Sequence, residues 1–244
     1  PGFNDLCEIK PEFRLGLSAT PERYDPNETA RVKYLCGKIV HRYGLKKAIK
    51  DGHLSKYHYN VSTVHLENDE QQRYDELRKK IGKAFATKEE GRPNSEYLDN
   101  LLFESARILK GARGKIDEAV RIISENYREG QHWLIYCADG QIDEVYSAID
   151  EGTSITPLTY WSGMNRFQRK TTLEHYERTS GVLLAIRCLD EGVDIPAISH
   201  GIILASTKQQ REFIQRRGRL LRKSPSNPFS HIYDVFALPN QHGS

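Results

Sequence analysis

The chain has 244 residues and a formal net charge of +3, which permits a nucleic-acid partner only where its cations cluster. With 38% hydrophobic and 9% aromatic residues it is too apolar to be disordered. It has no run of about 18 apolar residues that would span a membrane, and its first residues lack the basic and apolar segments of a signal peptide.

Four cysteines occur, at positions 7, 36, 137 and 188, and none belongs to a C-x-x-C pair. This spacing argues against a zinc site, and we expect no metal site built from cysteine or from the scattered histidines. Cys137 and Cys188 lie in apolar runs and are predicted to be buried thiols. Free buried thiols are typical of a reducing intracellular compartment.

The first half of the chain mixes strand and helix signals. Residues 13–21 ("FRLGLSATP") predict a buried strand that ends in a turn, since Pro21 disfavours helix at Thr20. Residues 56–66 alternate enough to be a second strand. Residues 68–110 predict two polar helices joined near Gly91 and Pro93, which together form a protruding helical hairpin.

From residue 115 onward, helical stretches alternate with short apolar runs. Continuous apolar runs indicate strands covered on both faces, and strands that alternate with helices predict a mostly parallel sheet in an α/β fold. Asn165 is a candidate helix cap, and Gly130 a candidate helix stop. The predicted strands are 132–137, 155–161, 181–186, 201–205 and 231–238; the predicted helices are 115–130, 141–150, 165–179 and 208–223.

The last of these helices carries "IQRRGRLLR" at 214–222, which has four arginines in nine residues. On a helix, Gln215, Arg219 and Arg222 share one face at i, i+4 and i+7. No acidic residue lies four positions from Arg219 or Arg222 to relieve their mutual repulsion. A solvated basic face is one interpretation. The other is phosphate recognition, because planar guanidinium groups match phosphate oxygens.

Four stretches in this order resemble motifs of superfamily 2 helicases and translocases. They are "LSATP" (17–21) for motif III, "YWSGMNRFQRKTTLEHY" (160–176) for the segment between motifs IV and V, "LDEGVDIP" (189–196) for motif V, and Q-x-x-G-R-x-x-R (215–222) for motif VI. The narrower likeness is to XPB-type DNA repair helicases, particularly archaeal ones. It is carried by "GLSATPERYD", "QRRGRLLR" and the early helical insertion, which is similar to their thumb-like insertion.

The resemblance implies a RecA-like fold that works in a pair, with ATP and Mg²⁺ in the cleft between two RecA-like domains. Arg219 and Arg222 would then be arginine fingers, and Gln215 would assist near the γ-phosphate. The residues implied to line the nucleotide site are Glu191, Gly192, Asp194 and Gly218. An ordinary turn acid is the alternative for Asp194.

The same resemblance implies nucleic-acid contacts at Arg169, Ser162 and Gly163. Ile186 and Arg187 stand where the family has a hydroxyl that meets a DNA phosphate, so Arg187 is the candidate substitute. An exposed surface residue is the alternative interpretation for Arg169. Trp161 is expected in the core, with a base-stacking platform as the alternative.

Ser18 and Thr20 of the motif III stretch would couple the nucleotide state to movement between the domains. Capping of a local turn is the alternative for both. The basic stretch 78–83 of the hairpin is either a solvated face, which we favour, or a grip on DNA.

The resemblance divides the chain into four parts. Residues 1–25 would be the tail end of a first RecA-like domain, and 26–67 a linker with the start of the second. Residues 68–110 would form the thumb-like insertion, and 111–244 the second RecA-like helicase domain with motifs IV–VI.

The function implied is that of the C-terminal half of an ATP-dependent DNA helicase, XPB-like and moving 3′ to 5′, in repair or transcription. A restriction-type translocase on duplex DNA and a non-catalytic nucleic-acid-binding module are the alternatives. Implied partners are DNA, the first RecA-like domain, and nuclease, transcription or repair factors, without a membrane. The implied location is a reducing intracellular compartment, which in a prokaryote would be the cytoplasm, in association with the nucleoid.

The chain contains no G-x-x-x-x-G-K-[ST] phosphate loop and no D-E-x-H or D-E-A-D motif. Mg-ATP would therefore be held mainly by the first RecA-like domain, and we predict that the 244-residue chain alone does not hydrolyse ATP. A phosphate-release assay with and without DNA checks this. DNA-stimulated turnover by the isolated chain would contradict it.

Overall fold

The computed structural model describes residues 12–18, 26–86, 95–186, 198–205 and 229–240. Its helices are α1 (Pro26–Cys36), α2 (Leu45–Lys50), α3 (Asn68–Ala86), α4 (Ser95–Lys110), α5 (Gly114–Asn126), α6 (Ile142–Gly152) and α7 (Arg166–Thr179). Its strands are β1 (Lys56–His65), β2 (His132–Tyr136), β3 (Leu158–Tyr160), β4 (Gly181–Ala185), β5 (His200–Ile203) and β6 (Phe229–Leu238).

The six strands form one sheet in the order β1-β6-β5-β2-β4-β3, and every pairing in it is parallel. The predicted parallel α/β sheet is thus confirmed. Parallel strands need crossover connections, because a tight turn cannot return the chain to the starting edge. α6 and α7 supply two of these crossovers, from β2 to β3 and from β3 to β4.

Both faces of the sheet are covered, as the continuous apolar runs predict. Side chains alternate along a strand. Along β2, Trp133 and Ile135 therefore join one core cluster with residues of α5 and α6. Leu134 and Tyr136 join the opposite cluster, together with Tyr176 of α7. The thiol of Cys137 is buried in the first cluster, as predicted, whereas Cys188 lies outside the described residues.

α3 and α4 form the predicted helical hairpin, with a small core of Leu77, Ile81 and Leu101. Arg113, directly before α5, joins the chain after α4 to the start of α3 and so closes the base of this hairpin. Its guanidinium pairs with Glu67 at 2.6 Å and with Asp69, and its backbone N–H donates to Glu70 at 3.0 Å. Within 78–83 the basic side chains are exposed and Ile81 is buried, which leaves both interpretations of the basic face open.

Three local expectations need correction. Residues 13–18 form no strand, and Phe13, Leu15 and Leu17 are exposed, because no strand of the sheet pairs with them. This segment instead lies beside the end of α1, where Arg14 donates to the carbonyl of Leu35. α5 ends at Asn126 and not at Gly130, which occupies a later turn with φ +85°. α1 and α2 are additional helices.

Four aromatic rings stack across the sheet near the start of its strands. His58, His231, His200 and Trp133 occupy paired positions on β1, β6, β5 and β2. The successive ring centroids are 5.1, 4.8 and 4.2 Å apart. Burial, and then the neighbouring His231, lowers the pKa of His200 to about 4. Burial likewise lowers the pKa of His231, assisted by His58.

The low pKa of His200 predicts a loss of stability in acid. The unfolded chain takes up the proton near pH 6.5, whereas the folded chain resists it to about pH 4. Stability should therefore be complete above pH 6.5 and decline between pH 6.5 and pH 4. With allowance for solvent screening, we expect His200 to contribute about 1–2 kcal/mol to this decline.

Urea unfolding across this pH range measures the effect. His200→Phe keeps an aromatic ring at the position without a titratable group, so its stability should depend less on pH. His175→Phe, at an exposed position of α7, controls for the loss of a histidine. Equal pH dependence in the wild type and His200→Phe would refute this assignment.

Candidate functional site

The carboxyl edge of the sheet gathers the segments that the sequence marks as functional. β3 ends at Tyr160, β4 at Ala185 and β5 at Ile203, and all three strands are parallel. The chain therefore leaves each of them at the same edge. In open α/β sheets this edge is where ligands bind. Residues 187–197 follow β4 and residues 206–228 follow β5.

The turn between β3 and α7 begins at Trp161 and ends at Asn165. The N–H of Met164 donates to the carbonyl of Trp161 at 3.2 Å. Asn165 is the helix cap, as predicted: its side chain accepts from the N–H of Gln168 at 2.9 Å, and the Gln168 side chain accepts from the N–H of Asn165 at 2.9 Å. This reciprocal pair satisfies two otherwise unpaired donors at the start of α7.

Trp161 is not a core residue, contrary to expectation. It is 45% exposed and lies outside the apolar clusters formed by the described residues. Its indole folds back over Gly163. A Cβ added to Gly163 would lie 1.9 Å from Cζ3 and 2.2 Å from Cη2 of that ring. The indole can therefore lie against the backbone of residue 163 only because glycine has no side chain.

Arg169 closes the same turn from the first turns of α7. Its Nε donates to the carbonyl of Met164 at 2.9 Å, and its side chain is partly buried. Arg169, Ser162 and Gly163, all three predicted as nucleic-acid contacts, thus belong to one compact turn. Ser162 and Gly163 are exposed. Because it is Nε that donates to Met164, the two terminal nitrogens of the guanidinium can still donate side by side to a phosphate.

Lys115 is a residue of this edge that the sequence analysis missed. It is only 3% exposed, and its Nζ donates to the carbonyl of Leu204 at 2.9 Å. Burial lowers the pKa of Lys115 to about 8, although the nearby charge of Asp234 opposes that shift. Asp234 is fully buried and accepts a 2.6 Å hydrogen bond from the hydroxyl of Tyr59.

The sequence contains one signal for Lys115, which was missed, and one for Trp161, which was expected in the core. Lys115 precedes Ile116 and lies four residues before Ala119, which places it on the apolar face of α5. A lysine in that position needs a buried acceptor. The signal for Trp161 is Gly163 two residues later, since glycine leaves room for a large ring beside the backbone.

Ser18 lies apart from this turn, in the exposed segment beside the end of α1. The remaining predicted site residues lie outside the described part of the chain: Thr20, Arg187, Glu191, Gly192, Asp194, Gln215, Gly218, Arg219 and Arg222. Their roles stay predictions.

Within the described ranges, no three His, Cys, Asp or Glu side chains come together as a metal site. Those ranges also contain no helix with the length and hydropathy needed to cross a bilayer.

Comparison with known proteins gives a family match at this region. Residues 114–224 match the helicase conserved C-terminal domain. The chain is 28% identical over 240 residues to the DNA 3′-5′ translocase XPB2 of Sulfurisphaera tokodaii, a match that covers 91% of this chain and 53% of that protein. The chain thus spans about half the length of this relative.

Solved structures with the same fold include a restriction-modification enzyme and an ATPase C-terminal domain. The DNA-bound ATP-dependent Type ISP restriction-modification enzyme LlaBIII superposes with a TM-score of 0.53 at 18% identity, over 86% of this chain and 14% of that one. The SWI2/SNF2 ATPase C-terminal domain of Sulfolobus solfataricus superposes with a TM-score of 0.53 at 10% identity, over 75% and 80% of the two chains. These likenesses establish the RecA-like architecture of helicase C-terminal domains.

The packing of Trp161 on Gly163 predicts the effect of adding one methyl group. In Gly163→Ala the new Cβ would overlap the indole, so the ring must swing away into solvent. Acrylamide quenching of tryptophan emission should therefore increase. Trp133, the other tryptophan, is fully buried and contributes little to this change. The free energy of unfolding should shift by only about 0.5 kcal/mol, as for other surface substitutions.

Gly82→Ala is the matched control, because a Cβ at Gly82 would meet no atom within 4 Å. Its quenching should equal that of the wild type. Unchanged quenching in Gly163→Ala would mean that the ring does not pack on the glycine.

Proposed function

We propose that this chain is the second RecA-like lobe of an ATP-dependent motor on DNA, the C-terminal portion of an XPB-like superfamily 2 helicase; the match to the helicase conserved C-terminal domain and the likeness to XPB2 support this. The main support is topological. The stretches that resemble motifs V and VI follow β4 and β5, and these strands end at the same edge of the sheet as the Arg169 turn. One edge would then serve both the nucleotide and the nucleic acid.

Nucleotide chemistry in this proposal needs a partner lobe. The sequence contains no G-x-x-x-x-G-K-[ST] phosphate loop. Mg-ATP would be held by the other RecA-like domain, with Glu191, Gly192, Asp194 and Gly218 completing the cleft. When bound there, ATP supplies the γ-phosphoryl group and Mg²⁺ the charge that neutralises its oxygens.

Arg219 and Arg222 would donate to the oxygens of the γ-phosphoryl group as negative charge develops on them. Preorganised donors aimed at developing charge are usually the largest single contribution to catalysis of this kind. Gln215, one turn before Arg219 on the predicted helix, would orient the attacking water or the γ-phosphate. A common phosphate target would explain why Arg219 and Arg222, two like charges, share a face on the predicted helix.

DNA contacts would come from the turn between β3 and α7 and from the segment after β4. Arg169 and the backbone at Ser162 and Gly163 would bind phosphate oxygens, and Arg187 would replace the hydroxyl contact of the family. Such contacts position the protein on the strand but carry no sequence information. Ser18 and Thr20 would couple the nucleotide state to the arrangement of the lobes.

The division of the chain also belongs to this proposal. Residues 1–25 would end the first RecA-like domain, 26–67 would lead into the second, and 68–110 would be the thumb-like insertion. Residues 111–244 would complete the motor lobe. By analogy with the relative's name, movement would run 3′ to 5′, in repair or transcription alongside nuclease or transcription and repair factors.

Substitution of Arg219 in the complete native protein tests the motor. Arg219→Ala should lower DNA-stimulated ATP hydrolysis by about 10³-fold or more, because an arginine finger acts on the transition state. DNA affinity should change little. ATPase rates and DNA binding by anisotropy, measured on the same preparations, check this. Arg216→Ala is the matched control, since Arg216 lies off the predicted phosphate-facing arc.

Two other functions give different results in these assays. If the chain were a non-catalytic nucleic-acid-binding module, Arg219→Ala would weaken DNA binding and leave hydrolysis unchanged. A duplex translocase, favoured by the relative that is named a translocase, would hydrolyse ATP without displacing a strand. A strand-displacement assay on the complete protein separates that motor from a helicase.

A further inference from the structure

The ten residues 161–170 ("WSGMNRFQRK") form a surface that combines aromatic rings with positive charge. They contain two aromatic residues, three cations and no acidic residue. Trp161 is 45% exposed and Phe167 is 77% exposed. Arg166, Arg169 and Lys170 follow on the first turns of α7, where Lys170 is 3.7 Å from Glu174 in an exposed pair. An exposed ion pair of this kind is weak. The surface therefore keeps the positive charge of its three cations.

The orientation of the Trp161 ring is set by its own turn. The indole covers the backbone at Gly163, and the Met164 N–H and the Arg169 guanidinium close that turn through the carbonyls of Trp161 and Met164. The indole is thus placed before any ligand arrives, while nearly half of its surface stays in solvent. A preplaced ring loses little conformational entropy when a flat partner stacks on it.

We propose that Trp161 is a stacking platform for a nucleobase of single-stranded DNA whose phosphates contact the cations of α7. Stacked bases on aromatic rings together with a cationic track for the backbone form the usual combination at single-strand sites. Duplex DNA offers no free base face to the ring. This inference rests on the proposed function for its partner, DNA, and adds to it the preference for an unpaired strand.

The test uses anisotropy of a fluorescein-labelled oligothymidylate, and of the matched duplex, with the 244-residue chain. Trp161→Ala should weaken single-strand binding about 5- to 150-fold, the range found for loss of one stacked base. Trp161→Phe should retain most of the affinity, and duplex binding should be unaffected. Phe103→Ala is the matched control, because Phe103 is also an exposed aromatic residue, at 67%, but lies on α4.

A second readout does not depend on affinity. Stacking should quench the tryptophan emission of the wild type as oligothymidylate saturates the chain, and this quenching should vanish in Trp161→Phe, in which only the buried Trp133 remains. Quenching that persists in Trp161→Phe would overturn the proposal.

Failure of the inference and failure of the proposed function give distinct results. If Trp161→Ala binds the single strand as the wild type does while Arg169→Ala binds it less tightly, the stacking is wrong and the DNA contact stands. If the wild type binds neither DNA form, both the stacking and the DNA contacts of the proposed function are wrong.

Discussion

The parallel direction of all six strands is the constraint on which the rest of the molecule depends. A parallel sheet must be covered on both faces, and the two clusters around β2 satisfy that requirement with helices on each side. The same direction brings the ends of β3, β4 and β5 to one edge. The loops that follow these strands therefore begin close together although they are far apart in sequence. Several loops can thus contribute to one site.

At that edge a buried cation, Lys115, holds two segments together, as contacts between apolar side chains do elsewhere in the core. Lys115 must be desolvated to reach the Leu204 carbonyl, which costs free energy, and its lowered pKa of about 8 records that cost. The Asp234 carboxylate, held by Tyr59, partly offsets it. Removal of one partner would leave a charge buried without compensation. The contact fixes the chain just before residues 206–228, the stretch that contains the proposed arginine fingers.

The sequence predicted most of the sheet because its strands are continuous apolar runs with polar boundaries. All five strands predicted after residue 130 are present, with ends shifted by up to three residues. The strand expected at 13–21 is absent from the described residues 13–18, because alternation in a sequence cannot reveal whether a pairing strand exists. α1 has weak apolar periodicity and gave no clear signal. The helix cap at Asn165 was predicted correctly, because both of its hydrogen bonds join residues within one four-residue stretch, Asn165 and Gln168.

The candidate site was predictable where it rests on short spacings and unpredictable where it rests on side-chain placement. The resemblance of residues 160–176 to a helicase segment selected Ser162, Gly163 and Arg169, and the structure joins them in one turn. It could not select Trp161, because an indole at the end of an apolar run is compatible with the core until its position over Gly163 is known.

The same turn gives Arg169 a structural role beside the nucleic-acid contact that is proposed for it. Its Nε stabilises the turn through Met164, as a structural arginine would. The two terminal nitrogens of the guanidinium are those that a phosphate fork requires. An arginine anchored in this way is oriented before a strand arrives, and the turn that anchors it also carries the indole. Phosphate contact and base stacking would therefore be set by one local structure, so a change in the turn should disturb both together.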